Sequence, residues 1–172
     1  MPPMPIRVAL SAIVIAAAIT DLRSRRIPNW LTLPALPAGL IAQALFGDGL
    51  VSGILGALGG FVALFAAFAA GGGGGGDVKL LAAVGAFAGV RNLLPVFVLV
   101  ALIGGIVGVV VSLRAGALGR TLRNTAAILS ALMRGRIDEV RERSRLSQPG
   151  ALRIPYGAVI AAGVLLFLWY PR

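Results

Sequence analysis

The sequence predicts an all-α, polytopic membrane protein that forms a single domain over residues 1–172. Hydrophobic residues make up 58% of the chain and the mean hydropathy is +0.94, more apolar surface than a soluble domain of this length can bury. Several apolar runs approach the roughly 20 residues that a transmembrane helix needs. Basic residues gather between alternate runs, as they do in the cytoplasmic loops of membrane proteins.

Six apolar runs are candidate spans, and the fourth of them is the shortest. They are Ile6–Thr20, Trp30–Phe46, Leu50–Ala70, Val78–Val90, Leu93–Leu113 and Ile154–Tyr170. Pairs of glycines four residues apart, such as Gly56 with Gly60 and Gly85 with Gly89, allow close helix packing in lipid.

The distribution of basic residues predicts the orientation. If the loop after the first span is cytoplasmic, thirteen of the 16 basic residues lie on the cytoplasmic side and three on the other. This bias predicts that both termini lie outside.

The segment Arg114–Arg153, between the fifth and sixth spans, is predicted to be a cytoplasmic insertion. Its apolar residues recur at helical spacing with arginines between them, which is typical of an amphipathic helix lying on anionic headgroups. A solvated linker fits the same pattern.

Composition also limits the chemistry. The chain contains neither cysteine nor histidine, which excludes disulfides, thiolate metal sites and histidine bases, so we expect no metal and no cofactor. The net charge of +10 is explained by topology, and we expect no nucleic-acid partner.

Two of the six acidic residues, Asp21 and Asp77, lie at the predicted cytoplasmic ends of the first and fourth spans. Ionisable groups so close to hydrocarbon are costly and usually functional. Two adjacent carboxylates sharing one proton can activate water and assist a leaving group, as aspartic proteases do. The positive end of a helix dipole and nearby Lys79 would favour the ionised form of Asp77, which makes it the candidate base.

A run of six glycines, 71–76, precedes Asp77. Backbone without Cβ atoms can lie against an extended peptide, although such runs also occur as flexible linkers. A nucleotide-binding loop is excluded, because Asp77 stands where that motif requires lysine and would repel phosphate.

These residues resemble the motifs of type IV prepilin peptidases. Asp21 followed by Ile27–Pro28–Asn29 resembles the D-x5-I-P-N element of that family, and Gly74–Gly75–Gly76–Asp77 with Lys79 resembles its GxGD-x-K-L element. The stretch Ile154–Gly157 is similar to the proline–tyrosine–glycine sequence that opens the last helix. The resemblance extends over residues 6–170.

The resemblance implies a membrane aspartic endopeptidase with Asp21 and Asp77 as the catalytic pair. Its substrates would be prepilins or pseudopilins in the lipid bilayer, cut on the cytoplasmic side. Gly74, Gly76 and Lys79 would form the motif and substrate loop. Ile27 and Pro28 would shape the turn, and Asn29 would cap the next helix.

The short N-terminus and the lack of cysteine resemble the peptidase-only type associated with tight-adherence (Tad/Flp) pili. Larger members carry a cysteine tetrad linked to N-methylation, so the resemblance implies no methyltransferase activity and no S-adenosylmethionine site here.

Two other classes of function fit the composition. A small transporter or proton channel could use membrane carboxylates, although such acids usually lie near the midplane rather than at span ends. A non-enzymatic scaffold could use the same aspartates as helix caps.

Overall fold

The computed structural model describes residues 1–69, 74–135 and 155–170, and the described residues form seven α-helices and no strands. The helices are α1 Met4–Ser24, α2 Asn29–Phe46, α3 Leu50–Ala69, α4 Gly75–Ala88, α5 Val90–Arg114, α6 Leu118–Met133 and α7 Tyr156–Trp169. The prediction of an all-α protein is confirmed for these residues. Six of the helices coincide with the predicted spans to within a few residues.

Two helices, α1 and α5, are long and apolar enough to cross a membrane, while α7 is apolar but shorter. The fourth predicted span corresponds to α4, which is as short as α7. At about 1.5 Å per residue, the 14 residues of α4 extend about 21 Å, less than the roughly 30 Å of a bilayer core. Six membrane crossings therefore stay a prediction.

Helix α4 lies at the centre of the packing, between α2 and α3, and is buried from Leu80 to Ala88. Glycines allow this close approach: a Cβ on Gly56 would overlap the carbonyl oxygen of Gly85, and one on Gly60 would overlap that of Leu81. Small residues bring helix backbones together in this way where lipid offers no hydrophobic drive.

The C-terminal end of α4 is closed by a buried polar side chain. Gly89, with φ +74°, separates α4 from α5, so α4 ends at Ala88. Buried Gln43 donates from Nε2 to the carbonyl oxygen of Phe87 at 2.8 Å, and its Oε1 accepts the Asp48 N–H at 2.8 Å. These bonds satisfy backbone groups at the end of the helix.

Helix α7 packs against α1 and α5. Toward the N-terminal end of α1, Trp169 of α7 donates from its indole N–H to Ser11 Oγ at 3.0 Å, and the guanidinium of Arg7 lies 4.5 Å from the Trp169 ring. Because α1 and α7 run antiparallel, the start of α7 meets the end of α1, where Asp21 lies.

The predicted insertion Arg114–Arg153 is helical where it is described, as α6 after a turn at Gly116. Its exposed side chains include both basic and large apolar residues, among them Arg120, Leu122 and Arg123. The rest of the predicted insertion, 136–153, lies outside the described residues.

Candidate active site

Asp21 lies in the last turn of α1 and is only 6% exposed. Its Oδ2 accepts the backbone N–H of Gly157 at 2.8 Å, a buried bond across 136 residues of sequence. A buried polar atom without a partner is costly, so this bond lets a carboxylate occupy the packed end of the helix pair. The sequence predicts Asp21 as a site residue but does not identify Gly157 as its partner.

The turn after Asp21 fixes the geometry of the following motif. Helix α1 ends at Arg25, which adopts the left-handed conformation with φ 52° and donates its N–H to the Asp21 carbonyl oxygen at 2.7 Å. Pro28 then precedes α2 as its N-cap. The predicted role of Ile27 and Pro28 in shaping this turn agrees with these positions.

Ile27 also separates two other parts of the site. A Cβ placed on Gly76 would lie 3.1 Å from Ile27 Cβ, and one placed on Gly157 would lie 2.9 Å from Ile27 Cδ1. The nearly buried Ile27 side chain thus lies between the start of α4 and the start of α7. Glycine at both positions leaves it the space it needs.

Asp77 is the third residue of α4 and is half-buried. Its Oδ2 accepts the backbone N–H of Gly74, the N-cap residue, at 3.3 Å. This is half of a capping box, since glycine has no side chain with which to complete the pair. The helix begins at Gly75, two residues before Asp77, so Asp77 lies inside the first turn rather than ahead of it.

Burial, together with a smaller contribution from the charge of Asp21, raises the pKa of Asp77 from its ordinary value of 3.8 to about 6. The Gly74 N–H lowers it but is outweighed. The pKa of Asp77 is therefore raised, whereas the dipole argument expects it to be lowered. Gly157, which lies against Asp21, and Gly76, next to Asp77, both approach Ile27, so the two carboxylates lie at the same end of the helices.

Lys79 and Asn29 connect the two sequence motifs. The Lys79 Nζ donates to Asn29 Oδ1 at 2.9 Å, joining the first turns of α4 and α2. The expectation that Asn29 caps α2 is wrong, because Pro28 is the N-cap and the Asn29 side chain bonds Lys79 instead.

Tyr156, the first residue of α7, is half-buried beside the aspartates. Its ring lies near Gly104 of α5, where a Cβ would be 3.6 Å from the hydroxyl oxygen, and its hydroxyl lies within electrostatic reach of Asp77. The start of α7 therefore contacts Asp21 through Gly157 and faces Asp77 through Tyr156.

No group of three potential metal-ligating His, Cys, Asp or Glu residues occurs in the part of the chain that the structure describes. The site contains two carboxylates at the same end of the helices, Asp21 buried and Asp77 half-buried, and the charge of Asp21 acts on Asp77. Such a pair can take a proton from water with one group and give a proton with the other.

A family model described as the type IV leader peptidase family matches residues 8–109. This range covers more than half of the sequence and contains both aspartates and the motifs around them. The chain belongs to the type IV leader peptidase family. Gly157 and Tyr156 lie outside the matched range.

Three relatives are each named "Prepilin leader peptidase/N-methyltransferase". The one from Xanthomonas campestris pv. campestris is 33% identical over 59% of this chain and 38% of its own length. The one from Escherichia coli K12 is 36% identical over 58% and 47%, and the one from Bacillus subtilis is 38% identical over 59% and 42%. The chain thus matches less than half of the length of these relatives. No solved structure gives a significant match.

Proposed function

We propose that this protein is a membrane aspartic endopeptidase that removes the leader peptide from type IV prepilins or pseudopilins. The observation that carries the proposal is that the segments bearing Asp21 and Asp77 meet around Ile27, where the charge of Asp21 acts on Asp77. Both lie within the range that matches the leader peptidase family, and the relatives' names support a prepilin as substrate.

In the proposed mechanism the two carboxylates share one proton. Asp77, with the raised pKa, holds the proton and donates a hydrogen bond to the oxygen of the scissile carbonyl. Asp21, as the ionised partner, takes a proton from the attacking water as its oxygen bonds the carbonyl carbon. The proton then passes to the leaving amine nitrogen as the C–N bond breaks. This reverses the roles that the helix dipole argument assigns.

The glycines before Asp77 are proposed to accept the substrate. A peptide must be extended for its carbonyl to reach the pair, and the N-cap Gly74 is exposed with no side chain to obstruct it. The remaining glycines, 71–73, lie outside the described residues.

The proposed topology has six membrane crossings in the bacterial inner membrane, with the aspartates facing the cytoplasm and both termini outside. The excess of basic residues on the side of the aspartates supports this orientation. Exposed Arg23, Arg25 and Arg26 lie directly after Asp21, where anionic headgroups would meet them.

We further propose that this chain cleaves the prepilin without methylating the new N-terminus of the mature pilin. The methyltransferase is linked to a cysteine tetrad in the larger family members that the sequence resembles, and the 172 residues contain no cysteine. The same resemblance favours precursors of tight-adherence pili as substrates. Mass spectrometry of the mature pilin would distinguish cleavage alone from cleavage with methylation.

The decisive experiment is leader removal from candidate precursors co-expressed with the parent, Asp21→Asn or Asp77→Asn. We expect each variant to lose roughly 10²- to 10⁴-fold in cleavage rate, the contribution of a general acid or base. Asp48→Asn is the matched control, because Asp48 is an acid that pairs with exposed Arg91 at 3.4 Å at the far end of α4, and it should cleave normally.

Leader removal that persists in both Asp21→Asn and Asp77→Asn would overturn the peptidase proposal. Ion flux across proteoliposomes that depends on the same two residues, without cleavage by the parent, would point instead to a transporter.

A further inference from the structure

The first turn of α7 reaches the site although it lies outside the range matched by the family model. Gly157 is the second residue of α7, after the N-cap Pro155. The first N–H groups of a helix have no intrahelical acceptor. The Gly157 N–H is directed to Oδ2 of Asp21 at 2.8 Å and is buried there.

Space, rather than backbone conformation, requires glycine at position 157. The residue is helical and is not among the positive-φ glycines, so its conformation suits any residue. A Cβ there, however, would lie 3.0 Å from both Cβ and Oδ2 of Asp21 and 2.9 Å from Ile27 Cδ1. Glycine costs about 1 kcal/mol relative to alanine in a helix, so its presence here has a packing reason.

Gly163, a second glycine in α7, is explained by helix packing alone. Gly163 is buried against Val100 of α5, where a Cβ would lie 2.8 Å from the Val100 backbone nitrogen. That contact involves no aspartate. Gly157 differs because the group that packs against it is the side chain of Asp21, including its carboxylate.

We propose that Gly157 is a positioning residue for Asp21: its N–H fixes the orientation of the carboxylate, and its missing side chain allows the close approach. The inference rests on the proposed peptidase function. It makes the start of α7 the third element of the site, beside the two motifs that carry the aspartates. Tyr156, which faces Asp77 from the preceding position, places the same turn against both carboxylates.

The kinetic test compares Gly157→Ala with Gly163→Ala in leader cleavage. Displacement of Asp21 by a fraction of an ångström to 1 Å should lower kcat about 10- to 100-fold, with a smaller change in KM. The pH–rate profile should also move, because the two carboxylates titrate as a pair. Gly163→Ala should lower thermal stability and leave the pH–rate profile of the folded fraction unchanged.

A second test does not depend on activity or on the folding of a glycine variant. Tyr156–Gly157 is the only Tyr-Gly pair in the sequence, so labelling with ¹³C-carbonyl tyrosine and ¹⁵N-glycine selects one amide signal. In detergent micelles this signal should shift with pH in the parent. The shift should disappear in Asp21→Asn and persist in the control Asp48→Asn.

The outcomes separate the two proposals. If the parent does not cleave prepilin, the proposed function fails, while the amide titration still tests the Gly157–Asp21 bond. If the parent cleaves but the Gly157 amide responds equally in the parent and Asp21→Asn, the positioning role is overturned. Equal kinetics and equal pH profiles for Gly157→Ala and Gly163→Ala would overturn it as well.

Discussion

The two aspartates of the candidate site are held in different ways. Asp21 lies at the end of the 21-residue helix α1, is buried, and accepts a hydrogen bond from Gly157, 136 residues away. Asp77 lies in the first turn of the 14-residue helix α4, is half-buried, and accepts a hydrogen bond from Gly74, three residues earlier. One carboxylate is fixed by tertiary packing and the other by its own local turn.

This difference suggests a division of roles. In the proposed mechanism, Asp21, held by α7, would accept a proton from the attacking water, and Asp77, next to the glycines proposed to accept the substrate, would donate its proton to the carbonyl. The raised pKa of Asp77 agrees with that proposed role. If Asp21 is held in place and Asp77 can adjust locally, an extended peptide can bind while the two carboxylates stay close together.

The largest effect on cleavage is expected from a change in the spacing between the segments that carry Asp21 and Asp77. Gly76→Ala would place a Cβ 3.1 Å from Ile27 Cβ and 3.3 Å from the Ile27 carbonyl oxygen, and it should push the start of α4 away from the turn after Asp21. We expect a loss of about 10- to 100-fold in kcat/KM for leader cleavage.

Gly75→Ala provides the matched control for Gly76→Ala. Among the described residues, its Cβ would meet the ring of Phe68 at 3.5 Å, which is ordinary contact. We expect cleavage within about twofold of the parent and a small gain in stability, because alanine is favoured over glycine in a helix by about 1 kcal/mol. Equal losses in the two variants would contradict the proposed role of Ile27 as the element between them.

The difference in hydrogen bonding predicts a difference in stability. Asp21→Ala leaves the buried Gly157 N–H without its acceptor and should lower the free energy of unfolding by about 1 to 3 kcal/mol. Asp48→Ala, which removes an exposed ion pair, should cost at most about 1 kcal/mol. Thermal unfolding in detergent would measure both, and equal melting temperatures would show that the buried bond does not support the fold.

The raised pKa of Asp77 predicts how stability depends on pH. Because the folded pKa of about 6 exceeds the ordinary value of 3.8, the native protein binds more protons than the unfolded chain between these values. Stability should therefore fall as the pH rises from about 4 to 6 and then level off. Asp77→Asn should remove this fall and be more stable than the parent at pH 8 by on the order of 1 kcal/mol, after allowance for solvent screening.

The same pKa predicts the pH dependence of cleavage. With the proton on Asp77 required, kcat/KM should decline as the pH rises past about 6. The decline in kcat should come at higher pH, because a bound peptide excludes further water from the pair. A kcat/KM profile that instead rises through pH 6 would assign the proton to the other carboxylate.

Sequence reasoning recovers the parts of this protein that depend on local pattern. The apolar runs predict the positions of six helices, and the motif spacing identifies Asp21 and Asp77. The family match at residues 8–109 confirms the resemblance on which their selection depends. Their catalytic role stays a prediction.

Other features depend on tertiary contacts that no local pattern contains. The bond from Gly157 to Asp21 requires α1 and α7 to lie antiparallel and adjacent, although the glycine in the proline–tyrosine–glycine stretch was a usable signal. The raised pKa of Asp77 is not predicted either, because a helix dipole can be inferred from sequence, whereas burial and the charge of a distant residue cannot.

The smallest predicted effect concerns the bond that joins the two motifs on the exposed side of the site. Lys79 Nζ donates to Asn29 Oδ1 at 2.9 Å, but solvent can replace either partner. A double-mutant cycle with Lys79→Met, Asn29→Ala and the combined variant should give a coupling energy of about 0.5 to 1 kcal/mol in thermal unfolding.

If the bond between Lys79 and Asn29 also aligns the aspartate segments, the two single variants should lower kcat by similar factors. The double variant should then lower kcat by no more than either single variant. Additive losses in the double variant would mean that Lys79 and Asn29 act separately, and the aspartate segments would then be aligned by Ile27 and its glycine neighbours alone.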